Sequence, residues 1–248
     1  MSAQERVAVV TGAARGLGTA IADRFVADGY RVVYADLDGD GSRTAAGHAN
    51  AAGESALAVE VDIRELSSVE SCLAAAVDRW GRVDVWVNNA ALTFARPFFE
   101  LDPDEWDDVL KTNLRGTYFG CRVAGLHMRE RGNGRIVNLA SIAGQRGAST
   151  NGVHYAASKA GIVAVTHFAA SELAPFGVTV NALAPAAIEA PSVAAVPAEK
   201  VAAMVGTIPV GRLGLPNEVA ALVAFLASDE AGFITGATYD INGGMLMR

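Results

Sequence analysis

The chain has little of what metal, disulfide or nucleic-acid chemistry requires. Only two of its 248 residues are cysteine and four are histidine. Cys72 and Cys121 lie far apart, outside any CxxC pattern and among helix-like residues, which predicts two buried free thiols rather than a bridge. The histidines are scattered without ligand spacing, so no metal site is expected. No basic run stands out and the net charge is -7, which argues against a nucleic-acid partner. No apolar run approaches the roughly 18 residues of a membrane span. The first residues lead into an apolar strand without a signal-peptide layout, so a cytoplasmic chain is expected. Internal repeats and low-complexity tails are missing too. What remains is apolar: 51% hydrophobic residues against 19% charged ones predict one compact, well-buried fold over residues 1–248.

The pattern alternates short β-rich runs with helical ones. Val7 to Val10 reads as a strand, leading into Thr11-Gly12-Ala13-Ala14-Arg15-Gly16-Leu17-Gly18 and a helix marked by Ile21, Phe25 and Val26. Glycines between a strand and a helix allow a tight turn and close approach of backbone N–H groups to a phosphate. The spacing of Gly12, Gly16 and Gly18 is GxxxGxG. Arg31 to Ala35 reads as a second strand ending at Asp36, where a carboxylate accepts hydrogen bonds from an adenosine ribose. A solvated loop acid is the plain alternative for Asp36, since Asp38 and Asp40 crowd the same stretch, but its position favours the ribose reading. Arg15 pulls the other way, toward a 2′-phosphate. A carboxylate about 4 Å from a phosphate charge costs on the order of 4 kcal/mol at an effective dielectric of 20, and an exposed guanidinium returns about 1. Leu37 supplies no cation. NAD is therefore expected over NADP.

Further strands are predicted over Ala56 to Val61, Val83 to Val87 and Ile136 to Ala140, with a helix over Leu66 to Arg79. Gly29, Gly81, Gly134 and Gly177 each precede a β-branched run and read as helix stops. These units predict an α/β fold: a single Rossmann-type, doubly wound parallel sheet with helices on both faces. Asp62-Ile63 reads either as a contact for an adenine ring or as a helix-leading acid. Asn88-Asn89 reads as a turn after a strand. Asp102-Pro103-Asp104-Glu105 reads as a capped helix start. Asn113 lies inside that helix, where asparagine costs stability, so it is either an exposed or back-bonded side chain or a polar group facing a site. Pro185, Pro191, Pro197 and Pro209 punctuate a loosely patterned stretch, which reads as a substrate lid at about 186–212 or a connector.

One short motif carries the chemistry. Tyr155 and Lys159 are four residues apart on a predicted helix and share a face. A fixed ammonium favours phenolate and lowers the tyrosine pKa, so that the phenol exchanges a proton near neutral pH. A chance surface pair is the plain alternative.

Taken together, the loop from Thr11 to Gly18, Asn88-Asn89-Ala90, Asn113, Ser141, Tyr155 and Lys159 resemble, in that order, the short-chain dehydrogenase/reductase family. The tail from Val210 to Met245 looks most like the 3-oxoacyl-[acyl-carrier-protein] reductases of that family, although members with other substrates share it. The resemblance implies an oxidoreductase that moves a hydride between NAD(H) and a secondary alcohol or ketone. It assigns Tyr155 as general acid/base and Ser141 as the group that holds the substrate oxygen. Lys159 would lower the tyrosine pKa and bind the ribose, and Asn113 would hold a water linking lysine to solvent. Cofactor contacts follow at Leu17, Leu37, Asp62, Ile63, Asn89, Ala90, Pro185 and Ile188. Thr93, Gln145, Asn151, His154 and Ile188 become candidate pocket residues; for His154 the plain reading is polar surface. A homotetramer is also implied.

Ala91, Ala186 and Ala190 depart from the family's usual glycine, glycine and threonine, and Ser141 and Tyr155 stand one residue further apart than is usual. Two alternatives stay open. One is an NADPH-dependent 3-oxoacyl thioester reductase, and the other a non-catalytic dinucleotide-binding sensor or scaffold.

Overall fold

The computed structural model describes residues 5–146, 151–190, 193 and 196–247. The proposed lid and the stretch from Gln145 to His154 are thus described only in part, and Pro191 lies outside the described residues. Seven strands form one parallel sheet in the order β3-β2-β1-β4-β5-β6-β7. They are β1 (Val7–Thr11), β2 (Arg31–Asp36), β3 (Ala56–Glu60), β4 (Val85–Asn88), β5 (Gly134–Leu139), β6 (Val178–Pro185) and β7 (Thr238–Ile241). Strand β1 is buried along its whole length, and its residues feed two cores. Val10 packs with Ile21, Phe25, Tyr34 and Leu226 on one face. Val9 packs with Val69, Trp86, Met128 and Ile136 on the other. Coverage of both faces is why the strands read as continuous apolar runs. Cys72 and Cys121 are buried and free, and burial pushes both thiols up to about 12.

The helices are α1 (Gly16–Ala27), α2 (Gly39–Ala49), α3 (Leu66–Trp80), α4 (Pro103–Val109), α5 (Gly116–Arg131), α6 (Ala143–Arg146), α7 (Gly152–Leu173), α8 (Ala198–Val205) and α9 (Pro216–Ala227). Helix α2 has no counterpart in the sequence reading, because its glycines are poor helix formers. It forms because Asp38 caps it, accepting from Gly41 N–H at 2.9 Å, while Ala45 and Ala46 pack into the core. Asp38 and Asp40 belong to this helix start. Gly134 is also reassigned. Gly132, at φ +70°, ends α5, whereas Gly134 opens β5 where a Cβ would meet Met128 at 2.4 Å. Gly29, Gly81 and Gly177 do take positive φ, as helix stops. Glu105 closes no capping box: its carboxylate takes the Arg96 guanidinium at 2.7 Å, and Asp102 alone caps α4. Between α4 and α5 the chain takes a π-helical segment, Leu110–Arg115, which carries Asn113.

The strand order reverses between β1 and β4, which opens a crevice at the carboxyl ends of these strands. The loops after β1 and β4 meet there. Among the described residues, no helix is long and apolar enough to cross a membrane.

Candidate active site

One cavity of about 390 Å³ gathers most of the predicted cofactor residues: Gly12, Arg15, Leu17, Gly18, Asp36, Leu37, Asp62, Ile63, Asn89 and Ala90. Gly16 lies behind it, in the wall of a larger crevice next to α1. The cavity floor is sewn together by short contacts. Asn89 Nδ2 donates to the carbonyls of Thr11 at 2.9 Å and Gly12 at 3.1 Å, and Asn89 N–H donates to Thr11 Oγ1. A Cβ on Gly18 would stand 2.0 Å from the Gly12 oxygen, so the turn closes only on a bare Cα.

This cavity fits a dinucleotide. The start of α1 has no side-chain cap and no acid in its first turn, which leaves N–H groups and positive dipole facing the crevice. Asp36 stands at the end of β2, and its oxygens accept from Ala14 N–H and Asp38 N–H, both at 3.0 Å. Leu37 beside it is exposed, and Arg15 makes no ion pair or hydrogen bond among the described residues. Asp62 does not cap a helix; Arg64 grips its carboxylate in a bidentate pair and holds it below the usual carboxylate range. Ala91 and Ala186 add methyls without backbone strain, since no described non-glycine residue takes positive φ.

Ser141 follows β5 and Tyr155 opens the second turn of α7. The longer spacing between them does not separate their side chains, since the Ser141 hydroxyl is near enough to the Tyr155 phenol to favour its ionised form. Ser141 Oγ also accepts from Ala143 N–H at 3.1 Å, so its own proton is free to point at an oxygen. Lys159 is buried, and its Nζ lies 5.5 Å from the centre of the Tyr155 ring while donating to the Leu139 carbonyl at 2.6 Å. The expected lowering of the tyrosine pKa is not what this geometry gives. Burial pushes the Tyr155 phenol up, and the Ser141 hydrogen bond pulls it only part of the way back. Burial lowers Lys159 to about 8. Both charged forms lose hydration on burial, which favours the neutral phenol and the neutral amine.

Asn113 is wholly buried, and both N–H groups of its amide are engaged, by the Leu92 carbonyl at 2.9 Å and Ser158 Oγ at 3.1 Å. The water expected at Asn113 thus finds no free amide proton there. Ser158 in turn donates to the Tyr155 carbonyl at 2.7 Å. Ser158 and Leu92 have no role in the sequence reading; a polar residue inside the alanine-rich Tyr155-to-Lys159 run was the available signal for the first.

Pro185 ends β6 and accepts from Ile142 N–H at 3.0 Å, beside the Ser141 loop. Ile188 bridges to Gly214 and lines a separate cavity of about 170 Å³ with Ala186 and Ile208. Thr93 is exposed next to Leu92, and Asn151 sits at the head of α7. Gln145 is turned toward β7, where Nε2 donates to Asp240 at 2.8 Å, and it lines none of these cavities. His154 is not surface: it is fully buried, with both ring nitrogens unpartnered.

A family model described as enoyl-(acyl carrier protein) reductase matches residues 12–246. The chain is 38% identical to a 3-oxoacyl-[acyl-carrier-protein] reductase of Vibrio harveyi over the whole of both proteins. It is 43% identical to an acetoacetyl-CoA reductase of Rhizobium meliloti, over 96% of this chain and 98% of the relative. The short-chain reductase NovJ of Streptomyces niveus is 38% identical, over 97% of this chain and 94% of the relative.

Proposed function

The chain belongs to the short-chain dehydrogenase/reductase family, and we propose that it interconverts a secondary alcohol and its ketone with NAD(H) as coenzyme. The observation that carries this reaction is the convergence of Ser141, Tyr155 and Lys159 between β5 and α7. A bound nicotinamide dinucleotide supplies or accepts the hydride. The Tyr155 phenol gives its proton to the substrate oxygen in reduction and regains it in oxidation. Ser141 donates to the same oxygen and stabilises charge as it develops there. Lys159 stabilises the phenolate that results. Asn113 and Ser158 fix the pitch of α7, so that phenol and ammonium stay on one side.

The uncapped start of α1 would hold the pyrophosphate through Gly16, Leu17 and Gly18. Asp36 would take the adenosine ribose, with Asp62, Ile63, Asn89 and Ala90 along the cleft and Pro185, Ile188, Tyr155 and Lys159 toward the nicotinamide. Thr93 and Asn151 border the substrate, and residues 186–212 form its lid. The apolar face that α5 and α7 expose, with Leu126 at 48% and Phe168 at 77% exposure, supports pairing of copies into a homotetramer.

Asp36 supports NAD over NADP, because its carboxylate would repel a 2′-phosphate. A second reading, NADPH-dependent reduction of a 3-oxoacyl thioester, draws on the unpaired Arg15 at the cavity wall and on the relatives' names. Initial rates of NADH and NADPH oxidation with acetoacetyl-CoA and a panel of ketones, beside Tyr155→Phe, separate the readings. Turnover that prefers NADH and is lost in the variant is expected. Preference for NADPH would favour the thioester reading, and coenzyme binding without turnover on any carbonyl would favour a sensor.

A further inference from the structure

Among the described buried side chains that lack a hydrogen-bond partner, His154 alone has two such atoms, Nδ1 and Nε2. It is wholly shielded from solvent and is the chain neighbour of Tyr155. An apolar side chain of that size would fill the space without leaving polar atoms unpaired, so a histidine there lowers stability. Unpaired buried groups of this kind point to a partner that arrives from elsewhere.

Geometry says where the partner comes from. Successive residues of a helix point about 100° apart, so His154 does not share the face of Tyr155. Its ring lies under Gly152, whose φ of +81° itself favours glycine and where an added Cβ would stand 2.7 Å from Cε1 and 2.9 Å from Nδ1. The same Cβ would stand 3.4 Å from the carbonyl oxygen of Arg96. Nδ1 and that oxygen are therefore separated by no more than the sum of the two distances. Arg96 belongs to the loop between β4 and α4. That loop leaves the cavity wall at Leu92, whose backbone Asn113 grips, and is solvent-exposed from Thr93 to Glu100. Its far end is tied to α4 by the bidentate Arg96–Glu105 pair. Glu105 and Arg96 are also the charged groups that the loop and α4 bring to this side of His154.

We propose that His154 is a positioning residue: when substrate binds, the β4–α4 loop moves onto the head of α7 and the His154 Nδ1–H bonds the Arg96 carbonyl, closing the space over Tyr155. This rests on the reading of Tyr155 given above. The unpaired imidazole is a loss in the open form that closure recovers, so part of the substrate's binding energy is returned by the protein itself.

The test compares wild type with His154→Leu, His154→Asn, His154→Gln and Tyr155→Phe, measuring melting temperature, NADH affinity, and kcat and KM for acetoacetyl-CoA and the ketone panel. His154→Leu is expected to melt at the wild-type temperature or above and to bind NADH within twofold of wild type. Its kcat/KM should fall at least tenfold, mainly through KM. Asn carries its amide nitrogen where Nδ1 lies and Gln where Nε2 lies, so Asn should exceed Gln in kcat/KM at least fivefold. That comparison stands even if the leucine variant fails to fold. A leucine variant that folds and keeps an unchanged kcat/KM, or Asn and Gln variants of equal kcat/KM, overturns the proposal. Turnover kept in Tyr155→Phe would instead overturn the reaction assignment, whereas a dead Tyr155→Phe beside a fully active His154→Leu would overturn only the latch.

Discussion

Asn113 holds both backbone groups of Leu92, accepting its N–H at 2.7 Å and donating to its carbonyl at 2.9 Å. An asparagine thereby stands in for a strand, pairing with a loop that has no other ladder. Its second amide proton reaches Ser158 on the helix of Tyr155 and Lys159. The π-helical segment gives Asn113 this inward position, and π-bulges recur at functional sites for that reason.

Asn113→Ala removes three hydrogen bonds, one buried and two part-buried, and leaves Leu92 unpaired. A loss of about 2–4 kcal/mol is expected, and in a chain of this size each kcal/mol lowers Tm by about 2–4 °C. Because loop and helix both shift, kcat should fall more than tenfold. Calorimetry and steady-state rates check this, and an alanine variant with wild-type Tm would contradict the clasp.

Burial of Lys159 predicts a pH dependence of stability. Its folded pKa, about 8, lies below the ordinary value of 10.5. Below pH 8 both folded and unfolded chains carry the proton, and the full cost of burying the ammonium, about 3 kcal/mol, is present. Between 8 and 10.5 the folded state releases its proton first, so stability rises with pH relative to Lys159→Met. Tyr155, raised above 10, does not titrate in the lower part of this window. Urea unfolding of both proteins without coenzyme at pH 7 and pH 9.5 should show the wild type gaining on the order of 2 kcal/mol on the variant. A pH-independent difference would refute the assignment.

Gly18→Ala forces a methyl against the Gly12 oxygen and within 2.6 Å of Asn89 Nδ2. The turn between β1 and α1 must open, which separates it from the β4 loop. Coenzyme affinity should drop at least tenfold by fluorescence titration, with a lower Tm. Affinity within twofold of wild type would mean the loop reaches its ligand by another geometry.

Asp36→Ala removes the carboxylate but keeps Arg15. The ratio of kcat/KM with NADPH to that with NADH should rise at least tenfold, since a like charge beside the 2′-phosphate is lost. An unchanged ratio would mean that Asp36 does not face the ribose.

The order of strands and helices, the glycine turn and the Tyr155-Lys159 pair were legible in the sequence. Each depends on local chemistry: apolar runs, bare Cα positions and the i, i+4 face of a helix. Helix α2 was not legible, because tertiary packing and the Asp38 cap override a glycine-rich composition. Gln145 looked like a pocket residue by its position in the chain, and only the approach of β7 turned it to Asp240. His154 looked like surface because a single sequence cannot say which side of a helix start the fold will bury. The proton affinities of Tyr155 and Lys159 also waited for the fold. Spacing put the two groups together, but the depth of the pocket raised the one and lowered the other, because desolvation depends on everything packed around a charge and not on its neighbours in the chain.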